Sequence, residues 1–204
     1  MTQTSEQRQL FIGRRKLLGT IGSTALAACA SVPGGQSGAA VQSASSKLLV
    51  AFFTRTGNTR VIALQIRRAV RADVFEIEPA EPYPEDYEAT VSQAQGERDS
   101  GFRPPLKAGG PAIRAYDVVF LGFPVWGETA PPVIRSFLSQ HDLAGKTLVP
   151  FITHGGYGQG RSMSVLRQHA PQARILDPFV MEADQERRTL TQVSRWLSGV
   201  NIRT

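Results

Sequence analysis

Three short stretches carry residue types and spacings suited to holding a ligand. The first, Thr54-Arg55-Thr56-Gly57-Asn58-Thr59, follows an apolar run and leads into an amphipathic one. Its threonine hydroxyls can donate, Gly57 lets the backbone curl, and a helix N-terminus offers free amides with a partial positive charge. That combination suits a phosphate without any lysine. This stretch contains neither Gly-Lys-Ser/Thr nor Gly-x-Gly-x-x-Gly, which disfavours nucleoside triphosphates and dinucleotides as its ligand. A plain strand-to-helix turn with Asn58 or Thr56 as N-cap would use the same residues. The second stretch holds Pro124, Val125, Trp126, Gly127 and Glu128, and ends in Pro131-Pro132, placed to open a helix. Its indole suits covering a flat ring, and equally suits packing under a neighbouring loop. The third, Thr153-His154-Gly155-Gly156-Tyr157-Gly158-Gln159-Gly160, is richer in glycine than a turn needs, which permits close backbone approach to a ligand. His154 suits a local hydrogen bond. With His141 and His169 at no metal-ligand spacing, no metal site is expected. Gly-x-Ser-x-Gly is absent and no Ser, His and acid set presents itself, so a hydrolase is disfavoured and no residue is assigned a catalytic role.

The elements that must position these stretches alternate. Strand candidates span 48–53, 74–78, 118–123, 147–153 and 175–180. The first, third and fourth are almost continuously apolar, as strands buried on both faces are. Between them, Ile62, Ile66 and Val70, then Ile134, Phe137 and Leu138, then Leu190, Val193 and Leu197 each mark one helix face. A further helix is expected over 85–97, and 99–111, with Gly101, Pro104, Pro105, Gly109 and Gly110, reads as a loop. Five strands with intervening helices predict an α/β doubly wound, mostly parallel sheet with helices on both faces. In such folds ligands sit beyond the carboxyl ends of the strands, which is where the three stretches fall.

Ahead of this domain, residues 1–30 have a polar start, Arg14-Arg15-Lys16-Leu17-Leu18, a weakly apolar run and then small residues. The arginine pair resembles a twin-arginine export signal. The apolar run is short of the ~20 residues that span a bilayer. Leu26-Ala27-Ala28-Cys29 resembles a bacterial lipobox, which would leave a lipidated Cys29 as a membrane tether, and this reading is preferred. Ala28-Cys29-Ala30 also fits an ordinary A-x-A cleavage site, which would discard the cysteine. Residues 31–46 form a Gly, Ser and Ala linker with a reach on the order of 20 Å. The domain proper is expected over 47–204, and the protein is expected in the periplasm or anchored to a membrane facing it.

The 204 residues carry a formal charge of +6, of which +3 precedes Cys29, so the chain beyond that cysteine is only mildly basic. The remaining Lys and Arg are scattered among carboxylates, without the basic stripe and interleaved aromatics of a nucleic-acid binder. Cys29 is the single cysteine, so no disulfide forms within one chain and stability must come from the core.

The three loops in this order resemble the flavodoxin family, and particularly a subgroup carrying Thr-x-Thr-Gly-Asn-Thr, Gly-x-Pro-x-Trp and Thr-His-Gly-Gly. The likeness runs from about Lys47 to Leu197, with Tyr83-Pro84, Tyr87 and Arg103-Pro104 adding to it. It implies strand order 2-1-3-4-5 and FMN as cofactor, with residues 54–59 around the phosphate. Pro124, Val125, Trp126, Gly127, Thr153, His154, Gly155, Gly156 and Tyr157 would then surround the isoalloxazine ring. Relatives of this subgroup often carry a second Trp where this chain has Gly127, so the ring environment departs from the pattern. Together with the leader, the resemblance implies an exported redox protein, either an electron carrier or an FMN-dependent reductase with an unidentified partner. No dinucleotide fingerprint supports a second nucleotide pocket, which favours a carrier. A flavodoxin-like binding module without redox activity is the alternative.

Overall fold

A computed structural model describes residues 46–183 and 186–202, so the leader, Cys29 and the linker up to residue 45 lie outside the described residues. Strand β1 (Leu48–Phe52) leads into helix α1 (Asn58–Val70), then β2 (Asp73–Glu76) and α2 (Tyr87–Ser100). A single 3-10 turn (Ile113–Ala115) precedes β3 (Val118–Pro124) and α3 (Pro132–Gln140). After them come β4 (Thr147–His154), α4 (Ser162–His169), β5 (Arg174–Ile175), β6 (Phe179–Glu182) and α5 (Glu186–Gly199).

The sheet runs β2-β1-β3-β4-β5 with every pairing parallel, the doubly wound order. Alternation along the strands makes two cores. Leu49, Ala51 and Phe53 with Val119, Leu121 and Phe123 face one side, where Val133, Phe137 and Leu166 of α3 and α4 cover them. Val50, Phe52, Val118 and Phe120 face the other, under Ile62 and Ile66 of α1 and Val193 of α5. The central strands are buried on both faces, which is why β3 and β4 read as unbroken apolar runs. Gly122 sits where a Cβ would collide with the Phe151 ring of the paired strand, so the sheet interior admits no side chain there.

The fifth expected strand, 175–180, is divided. β5 pairs with Thr147 and Leu148, whereas β6 pairs with Phe151 through His154 along the same side of β4. Asp177-Pro178 separates them, and proline has no N–H to continue a ladder. Helix α2 starts two residues later than expected, because the Asp86 carboxylate accepts from the Ala89 N–H and caps it. It also runs on to Ser100 and stops at Gly101, whose φ of 69° ends the helix in the left-handed region. The stretch beyond is not free loop, since Lys107 donates its N–H to the Glu78 carbonyl and Ala80 to that of Pro105. Helix α4 is an additional element. Its buried Met163, Val165 and Leu166 are too few and too bunched to mark a helix by periodicity.

Candidate functional site

The β1–α1 loop is set by Gly57, whose φ of 95° puts it in a conformation that side chains rarely adopt. Gly57 is itself the N-cap of α1 and no side chain caps the helix. Neither Asn58 nor Thr56 plays that part, so the first-turn amides of α1 stay available to an external acceptor. Thr54 Oγ1 instead accepts from the Gly57 N–H at 3.0 Å, which fixes the curl of the loop. Thr59, buried at 1% exposure, shares a 2.9 Å hydrogen bond between its Oγ1 and that of Thr153. One bond thus locks the start of α1 to the end of β4. The two cations at the loop each have a partner. Arg55 donates to the Glu85 carbonyl and Arg60 pairs with the Glu76 carboxylate.

The β3–α3 loop is a two-residue hairpin. Trp126 and Thr129 exchange backbone hydrogen bonds of 2.9 and 3.3 Å around Gly127 and Glu128, which have φ of 56° and 64°. Positive φ at both central residues is the type I′ arrangement, unusual for a glutamate. Gly127 suits its positive φ, and the Arg98 guanidinium packs into the space a Cβ would take. Trp126 stands edge-on to Phe53 (centroids 5.2 Å, 80°) and to Tyr83 (4.9 Å, 84°). Its indole therefore packs among aromatics and still reaches the cleft between the loops. Tyr83 in turn donates to Glu97 Oε2 at 2.7 Å. Burial, then that hydrogen bond, push its phenol far above the ordinary tyrosine range.

In the β4–α4 loop, His154 Nδ1 accepts from the Gly156 N–H at 3.0 Å, so the neutral ring carries its proton on Nε2. Gly160 packs where a Cβ would strike the Glu128 backbone, and the Arg161 N–H donates to the Glu128 carbonyl at 2.7 Å. The second and third loops are thus welded together.

Between the three loops lies a cleft of about 500 Å³, within the range of small-molecule sites. From the expected set it is lined by Thr54, Arg55, Thr56, Asn58 and Thr59, by Pro124, Val125, Trp126 and Gly127, and by Thr153, His154, Gly155 and Tyr157. Gly57 and Gly156 are not in the wall. They shape backbone just behind it, at φ of 95° and 109°. The fourth wall is one that sequence reasoning misses. Tyr87, Thr90, Val91, Ala94 and Arg98 of α2 line it at i, i+3, i+4, i+7 and i+11, a single helical face. That periodicity is readable in the sequence, but polar Thr90 and Arg98 break the apolar stripe that marks a helix face. Glu128 and Ala183 complete the lining. Among the described residues no group of three or more His, Cys, Asp or Glu converges as a metal site.

Comparison with known proteins accords with this geometry. A flavodoxin family model matches residues 47–200. A crystal structure of a candidate flavoprotein from Bacteroides eggerthii is similar at 35% identity, with a TM-score of 0.66, covering 76% of this chain and 97% of the other. One from Bacteroides uniformis is similar at 30% identity and a TM-score of 0.66, covering 75% and 98%. A flavoprotein from Lactobacillus acidophilus, crystallised in complex with FMN, shares the fold at 20% identity and a TM-score of 0.59, over 72% and 99%. No curated protein matches the chain. With three-quarters of its length covered by the family model and by a relative at 35% identity, the chain belongs to the flavodoxin family.

Proposed function

We propose that the chain is an FMN-binding redox protein, exported by the twin-arginine route and held at a membrane through Cys29. The observation that carries the cofactor is the uncapped N-terminus of α1, opening onto the cleft behind a glycine that only a curled loop requires. A phosphate satisfies those amides and the partial charge of the helix end together. Residues 54–59 would hold it. Pro124, Val125, Trp126, Gly127, Thr153, His154, Gly155, Gly156 and Tyr157 would frame the ring. Tyr87 and Val91 add apolar surface from α2, and both are exposed, at 65% and 41%, as the wall of an open cleft is. FMN supplies the electron or hydride transfer when bound, and the chain supplies binding, orientation and electrostatic setting. The Lactobacillus acidophilus flavoprotein crystallised with FMN supports the same choice.

Export fits this chemistry, because the twin-arginine route resembles one used by proteins that acquire a cofactor before crossing the membrane folded. Absence of a dinucleotide motif favours a carrier over a reductase. The deciding experiment is the visible spectrum of the chain titrated with FMN and then riboflavin. A flavin spectrum with FMN bound far more tightly than riboflavin is expected. Binding of neither would leave a flavodoxin-like module with another ligand.

A further inference from the structure

Beside the cleft, four arginines from four separate segments converge without a matching set of acids. Arg98 ends α2, Arg103 follows it, Arg135 lies on α3 and Arg161 precedes α4. Arg135 is the centre. Burial first, then the charges of Arg98, Arg103 and Arg161, push its guanidinium below the ordinary arginine value. His169, at the end of α4, is held below the usual histidine range by burial and then by Arg103 and Arg135. Among the described residues the one carboxylate paired with any of the four is Asp99, 3.8 Å from Arg98 Nε and itself 63% exposed. Arg135 Nε is buried and has no hydrogen-bond partner. On the turn carrying Arg161, the Ser162 Oγ, at 0% exposure, has none either. The orphaned Nε donor of Arg135 beside converging like charges costs stability unless something absent from the chain satisfies it.

We propose that Arg98, Arg103, Arg135 and Arg161 form a recess that binds an oxyanion, the carboxylate or phosphate of a small anionic redox reactant. Guanidinium forks match both groups in bidentate geometry. A small molecule fits better than an acidic protein surface. Arg135 is half-buried and Arg98 has only 19% of its side chain exposed, so a protein face would meet mainly Arg103 and Arg161. That the anion is a redox reactant rests on the flavin reading and on position. Arg98 lines the cleft and lies against Gly127, so an anion held by it lies alongside the cleft's occupant.

The test is calorimetric titration of the full chain, first saturated with FMN where it binds so that the α1 amides are occupied, with succinate and with inorganic phosphate, at ionic strength fixed with chloride. Saturable one-site binding of at least one is expected, and the tighter of the two names the source of the charge. Arg135→Gln should weaken that binding at least tenfold while raising the Tm of the anion-free protein, since it removes a like charge from an uncompensated cluster. A purely structural arginine would give the opposite change in Tm. If Arg135→Gln does not fold, the exposed Arg103→Gln should still weaken binding. No saturable binding of either anion, binding unaltered in the variants, or tighter binding of poly-glutamate than of either small anion would each overturn the proposal. Flavin loading is read separately from the visible spectrum. Anion binding without FMN binding would sink the flavin reading and spare the recess, and FMN binding with indifference to both anions would do the reverse.

Discussion

The two ends of the cleft attract negative charge by opposite means. At the β1–α1 end Arg60 is neutralised by Glu76 and Arg55, which lines the cleft, is tied to the Glu85 carbonyl, so much of the attraction comes from uncapped amides behind Gly57. At the α2 end the backbone contributes little and guanidiniums crowd together with one exposed acid among them. Fixed dipoles suit a resident group that stays bound, because their geometry is set by the fold and needs no reorganisation. Long charged side chains suit a visitor, because they adjust to ligands of different shape and release them as salt rises.

The sharpest way to break this comparison is Gly57→Val. A β-branched residue at a φ of 95° costs about 2 kcal/mol, so the loop should relax and FMN affinity should fall roughly thirty-fold. Riboflavin, lacking the phosphate, should bind as before. Equal losses for both ligands in parallel titrations would place the defect in the ring site. Next in size, Thr59→Val leaves Thr153 Oγ1 unpaired in a buried setting and should destabilise the fold by about 1.5 kcal/mol. Denaturant unfolding measures it, and the Thr59→Val, Thr153→Val double variant should recover part of the loss. Glu128→Gln should raise the midpoint potential of bound flavin by an amount equivalent to no more than about 1 kcal/mol. An unchanged potential would mean that solvent screens this exposed carboxylate entirely.

The smallest effect is on pH. His141 and His169 both have folded values below the ordinary histidine value, the first through burial and the second through burial and then Arg103 and Arg135. As pH falls through about 6.5, the unfolded chain takes up protons that these rings refuse while folded. Stability should therefore decline across that window and level off once the folded histidines titrate. Thermal melts between pH 7.5 and 5 should show the decline. His169→Gln should flatten it, and an anion seated in the arginine recess should flatten it too.

What was legible in the sequence divides along the same line. The amide end could be read because its residues are consecutive and chemically typed. Thr54 through Thr59 state their own geometry, and the apolar runs of β1, β3 and β4 place them at a strand end. The arginine end could not be read, because residues 98, 103, 135 and 161 meet only through the packing of α2, α3 and α4. Scattered among acids in sequence, they looked like ordinary surface charge. The cleft wall of α2 fell between these cases. Its spacing was regular, yet Tyr87, Thr90 and Arg98 did not announce a buried face because a cleft is not a core. Trp126 had two readings in the sequence; the indole packs on Phe53 and Tyr83, and it also lines the cleft.

The interrupted strand after α4 has a consequence for how the molecule behaves in company. A parallel sheet ends in two rims of unpaired amides and carbonyls, each a template on which another chain can extend it. Here one rim is the two-residue β5, then Asp177-Pro178, then the four-residue β6, which offers no continuous row of donors. The other is the four-residue β2, which begins in Asp73 and ends in Glu76. Both rims are too short or too charged to recruit a neighbour, so a dense population of such domains can stand side by side without fusing into common sheets.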